Sequence, residues 1–108
     1  MEVIDFKMEL RRLEKPRRPL DVAWVNDSVV RMVACQGEGK WYVHDYDEFF
    51  LPCKGEVEIE TPHKRTLLAR GTGVLVPRGE VHRTNSREPA VFLVIRHRLT
   101  QCKIAPPE

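Results

Sequence analysis

No part of this 108-residue chain holds the ~20 consecutive apolar residues that a membrane-spanning helix needs. The opening MEVIDFKMEL is too acidic and too broken for a secretion signal. A cytoplasmic protein with no membrane partner is expected. Cysteine is scarce: Cys35, Cys53 and Cys102 are odd in number and share no C-x-x-C spacing. That argues against a disulfide framework or a zinc knuckle and leaves ordinary reduced thiols. Internal repeats and low-complexity tracts are absent, and charge of one sign is not in large excess, with a formal net charge of +2. Residues 1–20 hold six bases against four acids, and the remainder carries twelve of each. The basic stretch RRLEKPRRP has no interleaved aromatics and no recognition motif after it, so it reads as a solvated arm and nucleic acid is not an expected partner.

What the chain does have is 42% hydrophobic and 31% charged residues, the balance of a globular protein with a real core, at a length that suits one domain. Val3, Phe6, Leu10 and Leu13 recur at helical spacing, with Asp5 placed to cap and Pro16 to stop. From residue 21 the texture becomes short runs of β-branched, aromatic and aliphatic residues cut by turn clusters. Strands are expected at 21–26, 28–36, 39–44, 47–53, 55–61, 65–70, 73–77 and 90–97, an all-β sandwich or jelly-roll barrel. Organisation into an arm or short helix (1–20), a barrel (21–98) and a tail (99–108) follows. In Glu56-Val-Glu-Ile-Glu60, alternation turns Val57 and Ile59 to the core and the three glutamates to water.

Tyr42 and His44 share one strand face. If 39–44 and 47–53 pair as a hairpin, His44 and Glu48 meet near its closed end. Glutamate is seldom buried unpaired, and a metal ion would resolve that cost. Further on, a buried strand enters Pro77-Arg-Gly79, a turn that delivers His82 at a defined place.

These residues resemble the cupin superfamily. Its first motif is approached by Tyr42-Val43-His44, Glu48 and Gly55, with Gly37 one place out of register for the leading glycine. Its second is matched by Gly71, Pro77, Gly79 and His82, with Asn85 one residue early for the trailing asparagine. The stretches VAWVNDSVVRMVACQGEGKW, DEFFLPCKGEVEIE and VLVPRGEVHR look most like compact single-domain cupins described as similar to mannose-6-phosphate isomerase. The resemblance implies a cupin jelly-roll β-barrel, also called a double-stranded β-helix, with a divalent metal held by His44, Glu48 and His82. Tyr42 stands where such cupins place another histidine, and it is assigned as a pocket hydroxyl rather than a ligand. Two imidazoles and a carboxylate suit non-haem iron, and manganese, nickel, cobalt or zinc would also fit.

The expected function is a metalloenzyme for a small organic or sugar-like molecule, of isomerase or dioxygenase type, with Tyr42 as catalytic proton donor or hydrogen-bonding group. The alternatives are a small-ligand binding or sensing barrel without turnover, and a barrel that mainly presents a dimer surface. A homodimer is expected. His63 and His97 read as ordinary polar residues, and Asp45 and Asp47 as turn residues. Phe49, Phe50, Leu51, Val74, Leu75, Val76, Phe92, Leu93, Val94 and Ile95 read as core, with Phe50 and Phe92 also placed to wall a cavity.

Overall fold

A computed structural model describes residues 1–13 and 18–106. It is an all-β barrel preceded by one short helix. Helix α1 (Phe6–Arg12) begins at Asp5, whose carboxylate accepts the Lys7 amide, satisfying a donor that the first helical turn cannot. Pro16, the expected stop, lies outside the described residues. Nine strands follow among the described residues: β1 (Leu20–Val25), β2 (Ser28–Glu38), β3 (Tyr42–Val43), β4 (Glu48–Lys54), β5 (Val57–Thr61), β6 (Lys64–Leu68), β7 (Val74–Val76), β8 (Arg83–His97) and β9 (Lys103–Ile104). No helix among the described residues is long and apolar enough to cross a membrane.

The organising element is β8, which starts seven residues earlier than the apolar run at 90–97 suggests. One edge pairs antiparallel with β2 from Ser28 to Glu38. The other edge takes β5 against its first residues and β4 against its last. Strand β1 then extends the sheet beyond β2, and β7 beyond β4. The expected hairpin of 39–44 with 47–53 does not form. Only Tyr42 and Val43 of the first segment are strand, and they pair with β9, a strand in the segment read as tail, while β4 pairs with β7 and β8.

Alternation along these strands makes two apolar layers. Inside the barrel, Phe50, Val57, Ile59, Leu68, Val76, Ala90, Phe92 and Val94 form one cluster. On the outer face, Met32, Val91 and Leu93 pack with Leu13 at the end of α1, so the arm covers the sheet with its apolar side. The cysteines are free, and burial pushes the Cys35 and Cys53 thiols up.

Three expectations about facing are corrected. Glu58 is half-buried and Glu60 buried rather than solvated, because Arg83 and Asn85 of β8 reach the Glu60 carboxylate at 2.6 and 3.2 Å. Leu75 is exposed, not core, since the neighbouring Val74 and Val76 take the inward positions of β7. Phe49, Leu51 and Ile95 are only half-buried, lying on the opposite face from Phe50 and Val94.

The β5–β6 register places Leu68 opposite Val57 and Leu67 opposite Glu58. Leu68 is fully buried and Leu67 half-exposed. Leu68→Ala should therefore cost about 2–5 kcal/mol by leaving a core cavity, and Leu67→Ala about 0.5 kcal/mol or less. Urea unfolding of the two variants checks this, and a larger cost at Leu67 than at Leu68 would mean that the register is wrong by one residue.

Candidate metal centre

His44, Glu48 and His82 come together although the expected hairpin is missing. Two backbone contacts replace it. Tyr42 and His82 exchange amide-to-carbonyl hydrogen bonds of 2.8 and 2.9 Å, and the Gly79 amide donates to the His44 carbonyl at 2.9 Å. Gly79 can serve because its φ of +82° is a left-handed conformation that side chains disfavour. The Pro77-Arg-Gly79 turn is thus pinned to the segment that carries His44.

One ligand atom from each of His44, Glu48 and His82 lies within 4.8 Å of the others, and all three residues are buried. Glu48 Oε1 sits 2.9 Å from His44 Nε2 and 3.4 Å from His82 Nε2. It is within reach of both rings yet out of hydrogen-bonding geometry, so this buried oxygen has no donor. The far side of each ring explains why. His44 Nδ1 faces the Gln101 carbonyl at 3.3 Å and His82 Nδ1 the Glu80 carbonyl at 2.9 Å. A carbonyl only accepts, so each Nδ1 carries a proton, and a ring with no second proton turns an Nε2 lone pair toward Glu48. With both rings in that form, two lone pairs and a carboxylate oxygen converge on one point. That donor set fits a divalent cation.

The other carboxylate oxygen, Oε2, accepts from Arg96 at 3.0 Å. Burial alone would raise the Glu48 pKa, but without a cation the two rings, donating from Nε2 when protonated there, and the Arg96 guanidinium outweigh it and bring it down to about 2. Burial likewise pulls His82 down, while Glu48 and the Glu80 carbonyl more than compensate and hold it above its ordinary value. Arg96 was missed in the sequence, although alternation from Phe92 and Val94 points it inward, and in register it faces Glu48. Cys102 beside it, 3.4 Å from the guanidinium, had no sequence signal.

Tyr42 lines the same cavity, its ring stacked on His44 at 6.0 Å. Phe50 and Phe92 wall the cavity. Asp45 and Asp47 anchor distant chain, accepting the Gln101 and Arg78 amides, and Asp45 thereby positions the carbonyl that orients His44. His63 is exposed in its turn. His97 stacks on Tyr46 at 4.1 Å, away from the cluster.

Residues 28–96 match the cupin domain family. The chain belongs to it. This cupin is 36% identical over 85 residues, 77% of its length and 75% of its relative's, to the uncharacterized protein YdbB of Bacillus subtilis strain 168. Its fold matches the crystal structure of a cupin-2 domain containing protein from Shewanella frigidimarina with a TM-score of 0.84 at 27% identity, over 89% of this chain and 95% of that one. It also matches hydroquinone 1,2-dioxygenase PnpCD, solved with Cd2+ and 4-hydroxybenzonitrile, with a TM-score of 0.69 at 23% identity, over 82% and 69% of the two chains.

Because the folded protein holds the Glu48 carboxyl at about 2, below the ~4.3 of a free glutamate, the unfolded chain takes up that proton first as pH falls. The stabilisation is present above ~4.3 and lost toward 2. In metal-free protein, Glu48→Gln should flatten the acid limb of a stability-against-pH curve over that range. An unchanged limb would show that Glu48 is not held ionised.

Proposed function

We propose that this cupin is a metalloenzyme that binds a divalent transition metal, one of iron, manganese, nickel, cobalt or zinc, through His44, Glu48 and His82, and acts on a small organic molecule beside it. The single observation that carries the reading is the donorless Glu48 Oε1 facing two imidazoles whose Nδ1 atoms are both occupied by carbonyls. When bound, the ion supplies Lewis acidity or an oxygen-binding position. The protein's own groups do the rest. Arg96 fixes the carboxylate, the Gln101 and Glu80 carbonyls fix the ring tautomers, and Phe50 and Phe92 exclude water from a cavity of about 350 Å3. Tyr42 is placed to donate a hydrogen bond or a proton to a substrate oxygen. Isomerisation and dioxygenation both suit such a site. The named likeness to a dioxygenase solved with a divalent cation and a small aromatic agrees with the second.

The finer likeness to mannose-6-phosphate isomerase-like cupins and the assembly of two chains are part of this proposal. For the latter, edge strand β1 exposes Trp24 and Val25, and a second copy is a common cover for such an edge. Light scattering should give about twice the 12.6 kDa of one chain, and a monomer at micromolar concentration would remove this element.

Elemental analysis of protein purified without a metal-affinity step should find close to one transition metal per chain. His44→Ala and His82→Ala should each abolish stoichiometric metal while the far-ultraviolet circular dichroism stays that of a β protein, since the core lies elsewhere. Full metal retention in both variants would refute the site. A metal-free protein with a co-purifying ligand would point instead to a binding or sensing barrel. Tyr42→His should tighten metal binding in competition with a chelator by adding an imidazole on the His44 side of the cavity, and unchanged affinity would place residue 42 away from the metal.

A further inference from the structure

Outside the metal cluster, the barrel interior holds a charge that packing does not require. On β2, the residues Arg31, Val33 and Cys35 point into the cavity. Arg31 stands opposite Val94, which stands opposite Phe50. The next row along β8 and β4 is Arg96 with Glu48, so Arg31 lies two strands over and one row away from the metal ligands. That is roughly 10 Å across the sheet and 7 Å along it, measured between backbones, a gap that a ring-sized molecule fills once the side chains reach inward.

Asp21 on β1 orients the Arg31 fork, taking Nε at 2.6 Å and Nη2 at 3.4 Å. The remaining nitrogen, Nη1, has no protein partner among the described residues. Lys40 also lines the cavity and forms no ion pair among them. Arg83, at the same wall, is already held by Glu60 and Glu38 at 2.6 and 2.7 Å. Among the described residues the one acid lining the cavity is Glu48, whose Oε2 is engaged by Arg96. Between the Arg31 end and the Glu48 end the walls are Val33, Phe50, Phe92 and Val94. A ligand matched to these surfaces has one anionic head, an apolar body and a polar end.

We propose that the cavity takes a small organic carboxylate with an apolar, ring-sized body, its carboxylate bound by Arg31 Nη1 with Lys40 nearby and its opposite end turned toward His44, Glu48 and His82. The assignment rests on the metal-centre reading for the far end of the ligand, whereas recognition of the anion rests on Arg31 alone. A guanidinium already oriented by a partner gives strong, directional binding of a carboxylate. With Asp21 offsetting the Arg31 charge, Lys40 leaves this end a net charge of about one, which matches a carboxylate better than a phosphate dianion.

The test is calorimetric titration of benzoate, benzamide and phenyl phosphate into zinc-loaded and chelator-treated protein. Benzoate should bind at least tenfold more tightly than benzamide or phenyl phosphate. Arg31→Met should remove that preference while leaving benzamide affinity within twofold and zinc stoichiometry unchanged. Arg31→Gln, which keeps a hydrogen bond to Asp21, reads the same loss should Arg31→Met not fold. Asp21→Asn should leave benzoate binding as tight or tighter, since a competing carboxylate has gone. Equal affinity for benzoate and benzamide, tighter phenyl phosphate, or a preference that survives the loss of Arg31 would overturn the proposal, the last by placing the carboxylate on the zinc. Failure of the wild type to hold zinc strikes the metal reading instead. An Arg31-dependent benzoate preference in chelator-treated protein would then still uphold the anion site.

Discussion

A carboxylate that is 1% exposed sets the terms for this barrel. Moving an ionised glutamate out of water costs several kcal/mol unless charges and donors surround it. Here β8 supplies Arg96 on one side, and two imidazoles close the other at 2.9 and 3.4 Å. Each imidazole is in turn aimed by a backbone carbonyl. The inward row of β4 and β8, the turn that carries His82 and the chain that returns past His44 are all positioned around this one group.

The means of that positioning is mostly backbone. Side-chain packing in the barrel interior is aliphatic and aromatic and would tolerate small shifts. The reciprocal Tyr42 and His82 hydrogen bonds and the Gly79 bond to His44 would not, because moving either segment leaves buried amides without partners. The helix and the outer apolar layer do separate work. They cover the convex face of the sheet, so the interior is free to hold polar groups in places where a smaller protein would need only core.

Most of this was legible in the residue pattern, and the exceptions have physical causes. The spacing of His44, Glu48, Gly71, Pro77, Gly79 and His82 disclosed the barrel and the cluster, since turn residues and ligating side chains at fixed intervals leave few folds open. Val57 and Ile59 declared their facing through period-two alternation. The hairpin expected around Asp45 and Tyr46 failed because strand propensity carries no information about which partner wins. Residues 42 and 43 found β9, and Glu48 found Arg96. Glu60 escaped for a related reason: a glutamate at an outward-reading position is buried once Arg83 and Asn85 arrive from a strand that appeared to start later. Arg96 was readable by parity from Phe92 and Val94. The orienting carbonyls of Gln101 and Glu80 were not, because a main-chain atom leaves no trace in the side-chain alphabet.

The Gln101 carbonyl lies against His44 Nδ1 across 57 residues of chain, and the strand that follows it seals Tyr42 and Val43. A chain cut just before Gln101 would keep all three side chains and lose the contact that selects the tautomer of the first.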